Sequence, residues 1–460
     1  MRRSLPTVEA VPLGAVLALA AVLRAVGAGS GLPLPLLNPD ETNIVPRAWA
    51  VVHGGGLDPG WYDYPSLIFL VLAPTQLGFD VPSYGAARVA AVLVGVLGVA
   101  AAWWLGRAAY GAAAGLTGAV GVALATTHVA YSRMAVTDVL LTLGVTVTLA
   151  LLVTGRLEWA GLAAGLAASA KYPGAVLVVP IVVAGFRERR RLAASLGLAA
   201  VAFLVTSPFV AIHAGSAWDD FQHVQQLARE GWLGFEDDPP TPLAFGLRLW
   251  ETLGPVLAVA VAGIVVAARR RDRADLVLLS FATAYGLSLL PSGAHFDRYV
   301  LPLVPVLAVL AGRLRPLVPL ALVAALVPLW WSLADARSLT GRDPRLDAAA
   351  WIERTIPRDE RIAADASTLP LSGWDAVGLE LPGPGRPFDR RRNLATLRAE
   401  GVQWLVVGGS VADRVLAAAS HYPREARFYR ELERLRPAYA TRAEPGRRPR
   451  PRLRVYRIYP

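Results

Sequence analysis

The chain alternates long apolar blocks with short polar or basic stretches. Two examples are AVLVGVLGVAAAWWLG at residues 91–106 and VLAVAVAGIVVAA at residues 256–268. Such blocks approach the roughly 20-residue length with which a helix crosses a bilayer. The pattern predicts a polytopic α-helical membrane protein with about eleven transmembrane helices. These helices are expected near residues 11–29, 88–106, 112–128, 138–154, 157–170, 174–186, 192–212, 252–268, 275–290, 299–312 and 316–333.

Arginine clusters beside these blocks predict the sidedness of the protein, because short cytoplasmic loops are enriched in Lys and Arg. The clusters are Arg2-Arg3, residues 187–191, residues 269–273 and the pair Arg313 and Arg315. With these clusters inside, the segments expected outside are residues 30–87, 212–248, 291–298 and the C-terminal part.

The apolar run from Ser66 to Phe79 conflicts with this assignment if it spans the membrane. It is short for a span and contains Pro74 and Gln76. We therefore predict an interfacial or re-entrant helix inside one large outer loop, residues 30–87.

From about Ala334 the composition is that of a water-exposed segment. Residues 348–367 predict an amphipathic helix, a proline stop and a short strand. VQWLVVGGS and RLRVYRIYP predict further strands, with helices between them near 411–419 and 424–435. We predict a transmembrane catalytic domain at 1–333 and a small extracytoplasmic α/β domain at 334–460.

Composition agrees with a membrane protein. Hydrophobic residues make up 54% of the chain and charged residues 18%, against about a quarter charged in soluble proteins. The net charge of +11 comes largely from arginines beside apolar blocks, so we do not predict nucleic-acid binding. The absence of cysteine excludes disulfides and thiolate chemistry. We expect a multi-pass protein of the plasma or inner membrane that keeps its first apolar block uncleaved.

Asp40 and Glu41 follow the first apolar block and are the first catalytic candidates. A partly desolvated carboxylate at the outer membrane boundary can act as a general base. The alternative is that Asn38 or Asp40 simply caps a helix running through Val45.

A second group of ionisable residues lies at the outer ends of apolar blocks. An ionisable residue near the membrane costs about 2.5–3.5 kcal/mol on insertion scales, so it usually pairs or serves a function. Several cations on one outer rim could bind a phosphate. The alternatives are snorkelling, or local pairing such as Arg133 with Asp138. The group is Arg133, Asp138, Lys171, His295, Asp297 and Arg298.

Two weaker candidates lie in the outer loops. Trp61, Tyr62 and Tyr64 are either interfacial aromatics or a stacking surface for a sugar ring. The pattern indicates no definite cofactor and leaves a divalent metal ion open. The loose candidate metal cluster is His213, Asp219, Asp220 and His223.

Five motifs, in this order, resemble the GT-C glycosyltransferases, and among them family 39, the protein O-mannosyltransferases and aminoarabinose transferases. They are NPDE at 38–41, YDYPSL at 62–67, YSRMAVTD at 131–138, GLAASAKYPGAVLVVP at 165–180 and DRYVLPLVP at 297–305. The resemblance covers roughly residues 11–333. The outer-loop motif departs from the family pattern, because it has one proline where two prolines or His-Pro-Pro are usual.

The resemblance implies an enzyme that uses a polyprenyl-phosphate sugar donor and an extracytoplasmic acceptor. It implies Asp40, with Glu41 beside it, as the catalytic acidic pair, and Lys171 and Arg298 near the donor phosphate. Arg133 and Asp138 match a recurrent Arg–Asp pair. The acceptor (protein, glycan or lipid) and the sugar are left open.

Two other classes of function remain. A flippase or transporter for a lipid-linked saccharide would share the helices and outer cations, although no internal repeat of fixed period is present. A non-catalytic scaffold with a partner-binding α/β domain would not need Asp40.

Overall fold

The computed structural model describes residues 7–366, 368–442 and 451–459 and is mainly helical. Arg2 and Arg3 lie outside the described residues. The helices are α1 (Thr7–Ala25), α2 (Glu41–Val52), α3 (Leu67–Leu72), α4 (Tyr84–Tyr110), α5 (Ala112–Leu124), α6 (Thr126–Tyr131), α7 (Thr137–Val153), α8 (Leu157–Ala170), α9 (Val178–Gly185), α10 (Arg189–Thr206), α11 (Pro208–Ile212), α12 (Ala214–Glu230), α13 (Thr241–Leu253), α14 (Val256–Arg270), α15 (Arg273–Leu289), α16 (Val304–Ala311), α17 (Val318–Ala324), α18 (Leu326–Ser338), α19 (Pro344–Thr355), α20 (Leu394–Ala399), α21 (Gly409–Ala417) and α22 (Pro423–Glu433). Short 3-10 segments are Ala73–Gln76, Tyr172–Leu177, Asp297–Leu303 and Arg315–Leu317.

The number of membrane spans does not follow from the helices alone. Within the described residues, Tyr84–Tyr110 and Arg315–Ser338 are long and apolar enough to cross a membrane. The pair α13 and α14, bent by 116°, would count as a third span if taken together. Four other predicted blocks, within the described residues, are shorter apolar helices: Pro12–Ala25, Ala112–Leu124, Thr137–Val153 and Tyr172–Gly185. Eleven spans therefore stays a prediction.

The apolar run 66–79 forms only the short helix α3 and the 3-10 turn that follows it. Ile68, Phe69 and Leu72 are buried against the helical core. Gln76 is fully buried, and its side-chain amide exchanges hydrogen bonds with the backbone of Ser83 at 2.9 and 3.2 Å. This contact holds the segment beside the start of α4, where Ser83 caps the helix.

Small residues allow the apolar helices to pack closely. Gly161 of α8 faces the backbone at Ser195 of α10, and Gly121 of α5 faces Ala308 of α16. A Cβ atom at either glycine would collide with the opposite helix. In a lipid environment the hydrophobic effect does not drive helices together, so the close packing that such small residues allow stabilises their association.

Arg24 of α1 is fully buried in the helical core. Its guanidinium donates to the carbonyls of Val122 and Ala123, at 3.0 and 3.1 Å, where α5 ends. It also lies 2.9 Å from Nδ1 of His128. Because unpaired carbonyls at a helix end are costly in an apolar environment, Arg24 stabilises the break between α5 and α6.

The C-terminal part confirms the predicted strands and helices. Its strands are β1 (Arg361–Asp365), β2 (Ala376–Leu379), β3 (Val402–Gly408), β4 (Tyr439–Ala440) and β5 (Leu453–Arg457). In the described part of the chain they form one sheet in the order β2-β1-β3-β5-β4. β1 is parallel to β2 and β3, and β5 is antiparallel to β3 and β4.

Helices cover both faces of this sheet. Ile352 of α19 packs with Ile362 and Val406 on one face, and Val415 of α21 packs with Leu405 on the other. The sequence change at Ala334 falls inside α18, which continues to Ser338. The α/β part begins at Asp343, the N-cap residue of α19. The side chain of Asp343 accepts a hydrogen bond from the Arg345 amide.

Candidate active site

Asp40 stands at the first turn of α2, but its side chain does not cap that helix. Asn38 stabilises the turn instead, because its Oδ1 accepts from the Asp40 amide at 2.9 Å. The carboxylate of Asp40 is used elsewhere. Its Oδ2 accepts from Nη1 of Arg298 at 2.6 Å and from the hydroxyl of Tyr64 at 3.1 Å. Within the described residues, the side chain of neither Asn38 nor Asp40 therefore makes the hydrogen bond of a helix cap to the first turn of α2.

Lys171 lies beside this group. It ends α8 in an extended conformation, and its Nζ donates to Oδ1 of Asp138 at 2.6 Å. The ammonium also lies 5.4 Å from the ring centre of Tyr64 and 5.7 Å from that of Tyr299. Such contacts stabilise a cation over an aromatic face.

Asp40 is ionised in this setting. Burial raises the pKa of Asp40, but the charges of Arg298 and Lys171 and the hydrogen bonds from Arg298 and Tyr64 outweigh that effect. The net result holds the pKa of this carboxyl below its usual value.

Two buried polar atoms in this group make no hydrogen bond within the described residues. Nε of Arg298 and Oδ2 of Asp138 are buried and have no hydrogen-bond partner among the described residues. Buried polar groups are normally paired, and Arg298 lines the cavity described below, so its unused Nε can donate to a ligand there.

Glu41 has a different environment from its neighbour. It is fully buried, and both of its oxygens accept from Arg88 of α4, at 2.8 and 2.7 Å. One oxygen also accepts from the Ala135 amide at 3.0 Å. This arrangement ties α2 to α4, and we therefore treat Glu41 as a structural residue rather than as a second catalytic carboxylate.

Arg133 and His295 lie near the cluster but have local partners. Nη2 of Arg133 donates to the Leu23 carbonyl at 2.7 Å. Asp138, at the start of α7, pairs with Lys171 at the end of α8. His295 bridges Asp238 and Thr241, both at 3.1 Å.

A cavity of about 1510 Å³, here called the central cavity, connects these residues with the α/β part. Asp40, Lys171 and Arg298 line it from the helical side. Asp365 and Ser410 line it from the sheet. The candidate catalytic group and the α/β part therefore open into one space.

Asp63, which was not predicted as a site residue from the sequence, also lines the cavity. Burial in its loop, together with repulsion from Asp220, raises the pKa of Asp63 to about 6. The signal was present in YDYP, where the aspartate sits between the two tyrosines already considered.

A second missed signal concerns Lys171. The chain has 46 Lys and Arg residues, and Lys171 is the one lysine among them. Arginine fills every other cationic position, so this site stands out as one that uses a compact ammonium group.

The loose metal cluster is not assembled within the described residues, where no group of three or more His, Cys, Asp or Glu side chains converges. His213 pairs with Asp58 at 3.1 Å, and Asp220 accepts from the Tyr62 amide at 2.8 Å. These contacts hold α12 against the outer loop.

The model of glycosyltransferase family 87 matches residues 61–293, just over half of the chain. The expected membership of family 39 is not confirmed. No curated protein matches.

Two solved structures share the fold. ArnT from Cupriavidus metallidurans, bound to undecaprenyl phosphate, superposes with a TM-score of 0.61 at 16% identity, covering 97% of each chain. The archaeal oligosaccharyltransferase AglB from Archaeoglobus fulgidus, in complex with an inhibitory peptide and a dolichol-phosphate, has a TM-score of 0.61 at 13% identity. That match covers 92% of this chain and 71% of AglB. The chain thus has the GT-C fold of a helical membrane protein.

Proposed function

We propose that this chain, which belongs to glycosyltransferase family 87, moves a sugar from a polyprenyl-phosphate donor to an acceptor on the extracytoplasmic side of the membrane. The observation that carries the proposal is the cluster of Asp40, Arg298 and Lys171 on one cavity wall. It combines a carboxylate that can receive a proton with two cations that can hold a phosphate.

The chemistry is a single displacement at the anomeric carbon. The acceptor hydroxyl oxygen forms a bond to that carbon while the bond from the carbon to the phosphate oxygen breaks. The bonding electrons leave with the phosphate, and the hydroxyl proton goes to Asp40. Because the attack comes from the face opposite the leaving group, the product has inverted configuration.

Each residue of the cluster has a role in this step. Arg298 and Tyr64 both contact Oδ2 of Asp40, which leaves Oδ1 for the acceptor hydroxyl. The unused Nε of Arg298 and the ammonium of Lys171 stabilise the departing phosphate charge. A phosphate leaves as a stable anion, so a general acid is not needed.

A lipid-phosphate donor is supported by the two structures of the same fold, which hold undecaprenyl phosphate and a dolichol-phosphate. The extracytoplasmic side is supported by the exposed arginines at the junction of α14 and α15, because short cytoplasmic loops are enriched in arginine. The cavity, in contrast, is lined by both acidic and basic residues. The α/β part shares the cavity with Asp40, which supports placing both on that same side.

The test is transfer from radiolabelled polyprenyl-phosphate hexoses, using purified full-length protein and a cell-envelope extract as acceptor. We expect label in the extract and release of polyprenyl phosphate. Movement of intact donor across a vesicle bilayer without cleavage of the sugar–phosphate bond would instead support a flippase and overturn the proposal.

A further inference from the structure

Arginine-rich loops close the helical part at the end away from the central cavity. These loops, here called the arginine face, are residues 154–158, 186–192, 269–275 and 312–315. Helix α8 begins in this face at Leu157 and ends beside Lys171, which lines the cavity, so the length of a helix separates the two. The four loops contain eleven arginines and four acidic residues.

The four acidic side chains of the arginine face are paired with two of its arginines. Arg191 contacts Glu158 and Glu188, both at 2.6 Å. Arg313 contacts the two aspartates of the 269–275 loop, at 2.8 and 3.0 Å. Within the described residues, no ion pair joins the other nine arginines of this face to a carboxylate. This leaves an excess of positive charge that an external anion can neutralise.

The turn between α7 and α8 concentrates this charge. Nη2 of Arg191 donates to the Gly155 carbonyl at 3.1 Å. A Cβ atom on Gly155 would lie 3.7 and 3.8 Å from the two Nη atoms of Arg273, so that guanidinium also lies at the turn. Arg156, the next residue of the turn, is exposed, as is Arg273. Because clustered like charges repel one another, an anion bound at this turn is stabilised.

An exposed apolar side chain lies one turn further into each of the two helices that begin here. Trp159 follows Arg156 by three positions in α8 and is 63% exposed. Leu276 follows Arg273 by three positions in α15 and is 43% exposed. Residues three apart lie on the same side of a helix, so each arginine stands above an apolar side chain. In a helical membrane protein, this order matches lipid head groups beside the arginines and acyl chains beside the apolar side chains.

We propose that the arginine face binds an anionic phospholipid, whose phosphate contacts Arg156 and Arg273 and whose acyl chains lie along Trp159 and Leu276. A soluble anion would use the two arginines and leave the apolar side chains unused. A zwitterionic phospholipid would bring its own cation to a region that already has excess positive charge. The inference does not depend on the proposed sugar transfer, because these residues lie at the opposite end of α8 from the candidate active site.

The test compares dioleoyl phosphatidylglycerol with dioleoyl phosphatidylcholine, which have the same acyl chains and differ in head-group charge. Native mass spectrometry of the full chain, released from dodecyl maltoside micelles, gives the Kd of each lipid. We expect phosphatidylglycerol to bind about tenfold more tightly or better. The double variant Arg156→Gln/Arg273→Gln should raise the Kd of phosphatidylglycerol about tenfold or more and leave that of phosphatidylcholine unchanged.

The control is the double variant Arg427→Gln/Arg430→Gln, which removes two exposed arginines from α22 and should leave both Kd values unchanged. Glycerophosphoglycerol, the head group without acyl chains, should not compete at equal concentration, because it lacks the apolar contacts. Equal affinities for the two lipids, or a Kd of phosphatidylglycerol unchanged in Arg156→Gln/Arg273→Gln, would overturn the proposal. Competition by glycerophosphoglycerol as strong as that of the intact lipid would also overturn it, since the site would then bind a soluble anion.

Discussion

Arg298 donates to Asp40 at 2.6 Å although the two residues are 258 positions apart in the chain. The contact joins the first outer loop to the 3-10 turn that precedes α16. It holds a carboxylate and a guanidinium together as one unit on the cavity wall. In the proposed mechanism, the pair joins the base to the cation that stabilises the leaving phosphate.

The first prediction is that Asp40→Asn lowers turnover by about 10²–10⁴-fold, because the amide cannot take the acceptor proton. Donor binding should be retained, since Arg298 is freed from its carboxylate partner. Label transfer measures the first effect, and donor titration measures the second. Asp80→Asn, an exposed aspartate of the same outer loop, is the control. Near-wild-type turnover of Asp40→Asn would exclude this residue as the base.

The second prediction concerns the one lysine. Lys171→Gln should raise the KM for the lipid-phosphate donor about 10- to 100-fold, as expected for loss of a hydrogen bond to a charged group. Lys171→Arg should not restore it, because a planar guanidinium does not reproduce the compact charge that the ammonium places near the rings of Tyr64 and Tyr299. Donor kinetics of both variants provide the measurement.

A spectroscopic measurement can report on Lys171 directly. Reductive methylation with ¹³C-formaldehyde labels Lys171 and the N-terminal amine, because the chain has no other lysine. Addition of polyprenyl phosphate should shift the Lys171 resonance. For the Lys171→Gln variant, substitution of the exposed Arg229 by Gln is the control for the loss of one positive charge. A resonance that does not move at saturating lipid would place the phosphate elsewhere.

The third prediction separates Glu41 from Asp40. Glu41→Gln breaks a buried ion pair with Arg88, which costs about 3–5 kcal/mol of unfolding free energy. Thermal unfolding in detergent should therefore show a much lower Tm for Glu41→Gln than for Asp40→Asn. The folded fraction of Glu41→Gln should still transfer sugar. A stable but inactive Glu41→Gln would return this residue to the catalytic group.

The fourth prediction concerns pH. The pKa of Asp63 is raised to about 6, so the folded protein binds this proton more tightly than the unfolded chain, where the pKa is about 3.9. Its stabilising contribution is present below the unfolded pKa and is lost as the pH rises through about 6. Asp63→Asn should therefore raise Tm at pH 8 and give no comparable gain at pH 4.5. Asp80→Asn measures the general effect of removing one negative charge at each pH. An equal gain of Tm at both pH values would contradict the prediction.

Local sequence determined the elements of this protein. The apolar block at 138–154 appears as α7, Thr137–Val153, because an unbroken apolar run has no better way to satisfy its backbone than a helix. The strand VQWLVVG appears as β3, and its partner LRVYR appears as β5. Motif order also identified Asp40, Lys171 and Arg298, which line one cavity.

Only the tertiary structure decided what these residues contact. Asp40 and Glu41 are neighbours in sequence, yet successive side chains on a helical turn point in different directions. One faces Arg298 and the cavity, and the other is buried against Arg88. Asp138 pairs with Lys171, 33 positions away in the chain, because helix packing brings α7 and α8 together at those ends. Sequence reports residue types and spacing, whereas the partner of a charged side chain depends on which helices meet.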